Sequence, residues 1–299
     1  MKGKMLLFFM SMVIGMGYVT AQTVDSFEGE TTAKVNSVQK AKSQVLTKNI
    51  LAKMIVKSVM KKNFDNNPGY YTGAYESSNV IKGGKTRSYT SYNNGISISE
   101  KIGDKMKITV YFPYIKKGYY TVSDMTESQK LVETMRKGTV EKTGETMIIL
   151  GKKCNVYKVK YELTTDSAGT KNSTNLHNEF AICEDPSLPM ADQEFVPDVK
   201  GTPLKVTTNV ASQISNNMLN VDFLMSNSMY LTSIKSRPVD DSEFEIPADI
   251  KLIDADKNPK DMMKIIEENK KYMIKKKLWV ENNPDEVKIY DNLSEDWDF

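Results

Sequence analysis

A mainly β fold is what this sequence predicts, an antiparallel sheet or partial barrel with flanking helices, and three observations predict it. Residues 96–112 alternate apolar and polar with a period of two, the mark of a sheet that buries one face. Two runs on either side of residues 165–170 complement each other position by position as a hairpin. About nine or ten extended runs, nearly all joined by short polar connections, favour this arrangement over a parallel α/β fold.

The N-terminus reads as a leader. Lys2 and Lys4 precede an apolar run from Met5 to about Val19, and Val19 and Ala21 put small residues at −3 and −1 before Gln22. That is the order of a secretory signal peptide over residues 1–21, cut after Ala21, and the run is too short for a spanning helix. The expected location is the periplasm or the exterior. No cysteine follows the cut, which argues against an acylated anchor. Loss of the leader leaves 39 basic residues against 38 acidic ones, so the charge balance implies no nucleic acid or other polyanionic partner. No second apolar stretch reaches the roughly 18 residues of a membrane span, so the remainder is expected not to be integral to a membrane.

Residues 26–35 read as a first strand. Residues 36–62 carry a helical pattern with Val38, Ala41, Val45, Ala52, Ile55 and Val59 on one side, interrupted by Lys48. Residues 64–84, with Asn-Asn-Pro-Gly and Gly-Gly, read as loop. Ile96, Ile98 and Ile102 then alternate with polar residues, as do Met106, Ile108, Val110 and Phe112, with Gly103-Asp104 as the hairpin turn between them. Residues 85–92 and 119–122 flank that pair, 123–137 hold a short helix, and 146–150 begin the next strand.

Cys154 and Cys183 lie on the two complementary runs. A hairpin centred between Ala168 and Gly169 sets Tyr157 opposite Phe180, Tyr161 opposite Leu176, Lys158 opposite Glu179 and Val156 opposite Ala181, so apolar meets apolar and charge meets countercharge. A slip by one residue would set aromatics against charges. The same register opposes Cys154 and Cys183, and an exported chain with two cysteines invites a disulfide between them; two free thiols facing each other is the other reading.

Pro186, Pro189 and Pro197 mark a loop over 185–201, after which 204–208 is extended again. Val221, Phe223 and Met225 run toward a turn at Asn227, and 230–236 return. Asn258 as N-cap with Pro259 at the first position opens a helix over 260–278, whose lysines at 270, 271, 275, 276 and 277 suit a helix C-terminus. The tail over 281–299 holds seven acidic residues and one lysine and reads as loosely attached. The expected division is thus a leader at 1–21, a sheet domain at 22–257, a helix at 258–280 and an acidic tail at 281–299.

Chemistry is scarce. His177 is the one histidine, on a strand opposite Lys160, a surface position more than a base. The cysteines are too far apart for a metal pair, and no HExxH, EF-hand, GxGxxG or Walker loop occurs, so neither metal nor cofactor is expected. Asp240, Asp241 and Glu243, and Glu267 with Glu268, are carboxylate clusters that read as solvated charge. The basic helix has two readings, peripheral contact with anionic lipid or a solvated face. No catalytic residues are assigned, and an enzyme is not expected.

At Gly151 to Val159 (GKKCNVYKV), Gly201 to Val206 (GTPLKV) and Phe244 to Ala248 (FEIPA), the chain resembles a family of exported bacterial proteins. That family is similar to the periplasmic lipoprotein carriers and outer-membrane lipoprotein receptors of Gram-negative bacteria, the LolA/LolB-like superfamily. The resemblance implies a strongly curved antiparallel sheet, an unclosed half β-barrel with helices over its concave side, in a Gram-negative envelope, holding acyl chains or other apolar groups. The chain departs from it in the segment before Lys85 and in the helix and tail after 258. The expected lining of such a site is Met106, Ile108, Val110, Phe112, Tyr157, Val159, Tyr161 and Phe180, which would otherwise fill a dry core. The expected function is a carrier or sensor of apolar ligands, lipid or lipoprotein acyl chains. The alternative is a non-enzymatic structural module that contacts an envelope protein through an edge strand or the terminal segment.

Overall fold

Cross-strand chemistry sets the register of this chain. In the computed structural model, which describes residues 27–45, 50, 51, 54, 73–91, 93–124, 138–167, 170–192, 194–215 and 219–276, the cysteine-bearing hairpin has the expected register from Asn155–Ile182 to Ser167–Thr170. Its strands are β8 (Lys152–Ser167) and β9 (Thr170–Cys183), with Tyr157 opposite Phe180, Lys158 opposite Glu179 and Lys160 opposite His177. The other strands are β1 (Gly29–Val45), β2 (Gly73–Lys82), β3 (Lys85–Thr90), β4 (Gly95–Ile102), β5 (Lys105–Phe112), β6 (Lys117–Asp124) and β7 (Thr139–Ile149). After β9 follow β10 (Glu194–Val196), β11 (Val199–Lys200), β12 (Thr202–Ser215), β13 (Leu219–Ser236) and β14 (Lys251–Asp254). A 3-10 turn at Asp241–Phe244 and one helix, α1 (Pro259–Lys276), complete the described elements.

Twelve of these strands form one sheet in the order β14-β6-β5-β4-β3-β2-β1-β13-β12-β9-β8-β7, and β10 and β11 form a separate small hairpin. Two antiparallel meanders are thereby joined along β1 and β13, which pair from Gly29–Ser236 to Val45–Leu219. The edge strands β7 and β14 are not paired with each other, so the sheet is not closed into a barrel. β14 lies parallel to β6 and departs from the antiparallel rule.

Several expectations are corrected. Residues 36–45 are strand, not helix: they continue β1, whose backbone pairs with β13 along its full length and with β2 as far as Ser37. Ile50, Leu51 and Met54 are helical and exposed, and the rest of the expected helix lies outside the described residues. Residues 73–82 are strand β2 rather than loop; Gly83 and Gly84, both at positive φ, supply the tight return into β3. The chain does not turn at Asn227, because β13 runs unbroken through it. Asn227 is buried and lies opposite Ser37 on one side and Thr208 on the other. The 185–201 loop contains the β10–β11 hairpin. The expected leader, the helix at 123–137 beyond Asp124, and the acidic tail lie outside the described residues.

Both faces of the β4–β6 region are covered, and the alternation of β5 explains how. Tyr111 packs with Ile96, Ile98, Val239 and Phe244 under the strap over 237–250 that carries the chain from β13 to β14. Phe112, pointing the opposite way, packs with Tyr119, Ala255, Met262 and Ile265 under α1. Arg237 anchors the strap by paired hydrogen bonds to Glu243, both at 2.8 Å, and one to Glu30 at 3.3 Å, while Glu28 accepts from the Val239 amide at 2.7 Å. Asn258 precedes α1 as expected, and the helix docks through Met262, Ile265, Asn269 and Met273. At its far end Tyr272 stacks on Tyr114 at 5.5 Å, and the Asn269 side-chain amide donates to the Asn93 carbonyl at 2.9 Å.

Candidate functional site

Seven of the eight expected lining residues share one face of the sheet, and the pairing shows it strand by strand. Val110 lies opposite Ser97, Ser97 opposite Ser88 and Ser88 opposite Asn79. Tyr75, an even number of residues from Asn79 on β2, lies opposite Val35; then follow Met229, Val206, Phe180 and Tyr157. Positions two apart on a strand point the same way, so Met106, Ile108, Val110 and Phe112 join Tyr157, Val159 and Phe180 on this face, while the side chain of Tyr161 lies outside the described residues.

The face does not bring all seven into contact. Tyr157, Val159 and Phe180 form one cluster with Ile182, Val206 and Val196, against which Phe195 and Val199 also pack. The β10–β11 hairpin is therefore a cover over this end. Phe112 and Val110 belong to the separate cluster beneath α1. Met106 and Ile108 are buried further along β5. Burial raises the phenol of Tyr119, at the α1 end, and that of Tyr75, on the central strand β2, each to about 12.

Between its apolar regions the face carries polar groups that sequence reading missed. The pairing resolves three transverse rows across β8, β9, β12, β13 and β1. The first is Tyr157, Phe180, Val206, Met229 and Val35, and the third is Tyr161, Leu176, Val210, Met225 and Gln39. The row between them is Val159, Asn178, Thr208, Asn227 and Ser37. Asn178, Asn227 and Ser37 are 4%, 7% and 7% exposed, and the Asn178 Oδ1 is buried without a hydrogen-bond partner. Farther along, the buried Asn79 side chain donates to Thr31 Oγ1 at 3.2 Å. The signal for the row was present in the chain as isolated Asn, Thr and Ser residues inside extended runs, and only the pairing of four distant strands aligns them.

Cys154 and Cys183 are buried free thiols, and the expected disulfide is not formed. Directly opposed residues of an antiparallel pair hold their Cβ atoms about 4.5–5.5 Å apart, beyond the roughly 3.8 Å mean of a disulfide. The β8–β9 ladder itself stops one step short, at Asn155–Ile182, and the Cys154 thiol donates to the Lys152 carbonyl at 3.7 Å. Burial first, and the neighbouring Cys183 second, push the Cys154 thiol up to about 11.

The acidic clusters are structural. Asp240 caps the 3-10 turn by accepting from the Ser242 amide, and Glu243 completes the box and holds Arg237. Glu268 pairs with Lys117 at 2.8 Å, and Glu267 lies 4.0 Å from Lys271. Among the described residues no group of His, Cys, Asp and Glu is placed to hold a metal ion, and no helix is long and apolar enough to cross a membrane. The arrangement offers apolar contact and hydrogen bonding. No protein-family model and no curated protein matches the chain.

Proposed function

We propose that the protein is a periplasmic carrier or sensor of apolar ligands, lipid or lipoprotein acyl chains, which it holds on this face of a sheet curved as an unclosed half-barrel. One observation carries the reading: one face of the sheet bears two apolar regions, at β5 and β6 under α1 and at β8, β9 and β12 under the β10–β11 hairpin, with the polar positions Ser97 and Ser88 of β4 and β3 on the same face between them, and each region is covered by a separable element. An unclosed sheet leaves its apolar face to be covered by its own helix or by a guest, and lifting α1 exchanges one for the other. Lipid is expected to accompany the protein purified from cells that export it, detected by organic extraction and mass spectrometry. Absence of lipid, together with no saturable binding of a fluorescent fatty acid, would sink the proposal.

The alternative, an envelope interaction module, draws support from the edge strand β7, in which Ile148 is 71% exposed and after which Leu150 is 40% exposed. A free edge pairs readily with another strand. In this reading Ile148→Lys abolishes partner recovery in a pull-down and leaves lipid binding unchanged.

A further inference from the structure

The polar row, which the proposed function does not require, has its own consequence. A buried carbonyl oxygen without a donor costs about 1–3 kcal/mol, and native chains rarely keep one without a reason. Asn178 Oδ1 is such an atom, in a side chain only 4% exposed. It stands between Val159, wholly buried on β8, and Thr208 on β12, and along β9, β12 and β13 its row lies between the apolar positions Phe180, Val206 and Met229 on one side and Leu176, Val210 and Met225 on the other. Each apolar row is two residues away along the strands, roughly 7 Å.

A purely apolar guest would leave that oxygen as it is. A guest with a polar end group would seek solvent at the rim rather than the middle of the face. The guest that satisfies the row has a donor within its length, flanked on both sides by hydrocarbon. We infer, on the basis of the proposed function, that the Asn178 row selects acyl chains carrying an internal hydroxyl or amide N–H, which donates to Asn178 Oδ1 while the flanking carbons lie on the apolar rows. Thr208 and Asn227, next in the row, supply further polar atoms for the same group.

The test compares two probes, stearate and a mid-chain hydroxystearate, on the parent protein and on Asn178→Leu. The parent is expected to bind the hydroxylated probe about tenfold more tightly, the size of one buried hydrogen bond. Asn178→Leu is expected to lose that preference and keep its stearate affinity, with a melting temperature no lower than the parent's. Should leucine prevent folding, Asn178→Ala carries the same comparison. A parent that binds both probes alike, or a variant that keeps the preference, overturns the inference and leaves the carrier reading standing. A parent that binds neither probe overturns both.

Discussion

Lys152 and Asp185 form an ion pair where the chain leaves β9 for the segment that carries β10 and β11, and the Ser187 amide and hydroxyl also donate to Asp185, at 2.8 and 2.6 Å. The Lys152 hydrogen bond, and then those from Ser187, hold the Asp185 carboxyl well below the usual carboxylate range. A carboxylate depressed on folding contributes stability above its unfolded pKa of about 3.9, and that contribution fades as pH falls through the folded value. Melting temperatures measured from neutral pH downward should therefore drop more steeply below about pH 4 in the parent than in Asp185→Asn. Curves that stay parallel would remove the pair from the stability of this cover. The buried thiols give a second expectation. Both are buried, and Cys154, pushed up to about 11, is also protonated at pH 8; iodoacetamide should label neither cysteine in the folded protein and both after denaturation, as read by mass spectrometry. Gly118 is required for a different reason: a Cβ there would collide with the Val110 carbonyl oxygen and sit 2.7 Å from the Tyr111 Cβ. Gly118→Ala should cost about 1–3 kcal/mol in urea unfolding, the range of an overpacked core.

At the scale of elements, α1 shows how a short stripe docks a polar helix. Met262, Ile265, Asn269 and Met273 are the buried positions that recur every three or four residues, and most of the other positions are half-buried or exposed. Truncating Ile265 to alanine should cost about 2–5 kcal/mol, whereas Lys264→Ala on the outer side should change stability little, because its pair with Asp261 is exposed. Equal effects in equilibrium urea unfolding would mean that the helix is not held by this stripe. The start of α1 was legible because Asn258 and Pro259 act locally, and the β4–β5 and β8–β9 hairpins because a one-residue slip in either exchanges their faces. The strand at 36–45 was not: Val38, Ala41 and Val45 fit a helical spacing, and only pairing with β13 decides against it. Ser226, Asn227 and Ser228 have the composition of a turn, yet each lies buried within β13 between two neighbouring strands. Membership of the candidate face was readable from alternation, while its two covers and its polar row depend on segments far apart in the chain.

For the whole molecule, the decisive contact is the seam between β1 and β13. It pairs Gly29 with Ser236 and makes one sheet from two meanders, each of which could otherwise stand as a unit. Such a seam closes a long loop, so it forms late relative to the local hairpins and then couples them. Ala33 sits in it, fully buried, and packs in one cluster with Leu231, Leu204, Cys154 and Ala181. Ala33→Asp places an unpaired carboxylate there, which must either be desolvated or force the strands apart. If the sheet is one cooperative unit, hydrogen exchange in this variant should quicken together in β4–β5 on one side and β8–β9 on the other, by a common factor. Protection lost on one side and retained on the other would divide the sheet into two independently stable units, and a face continuous from β5 to β8 would then have no common frame to hold it.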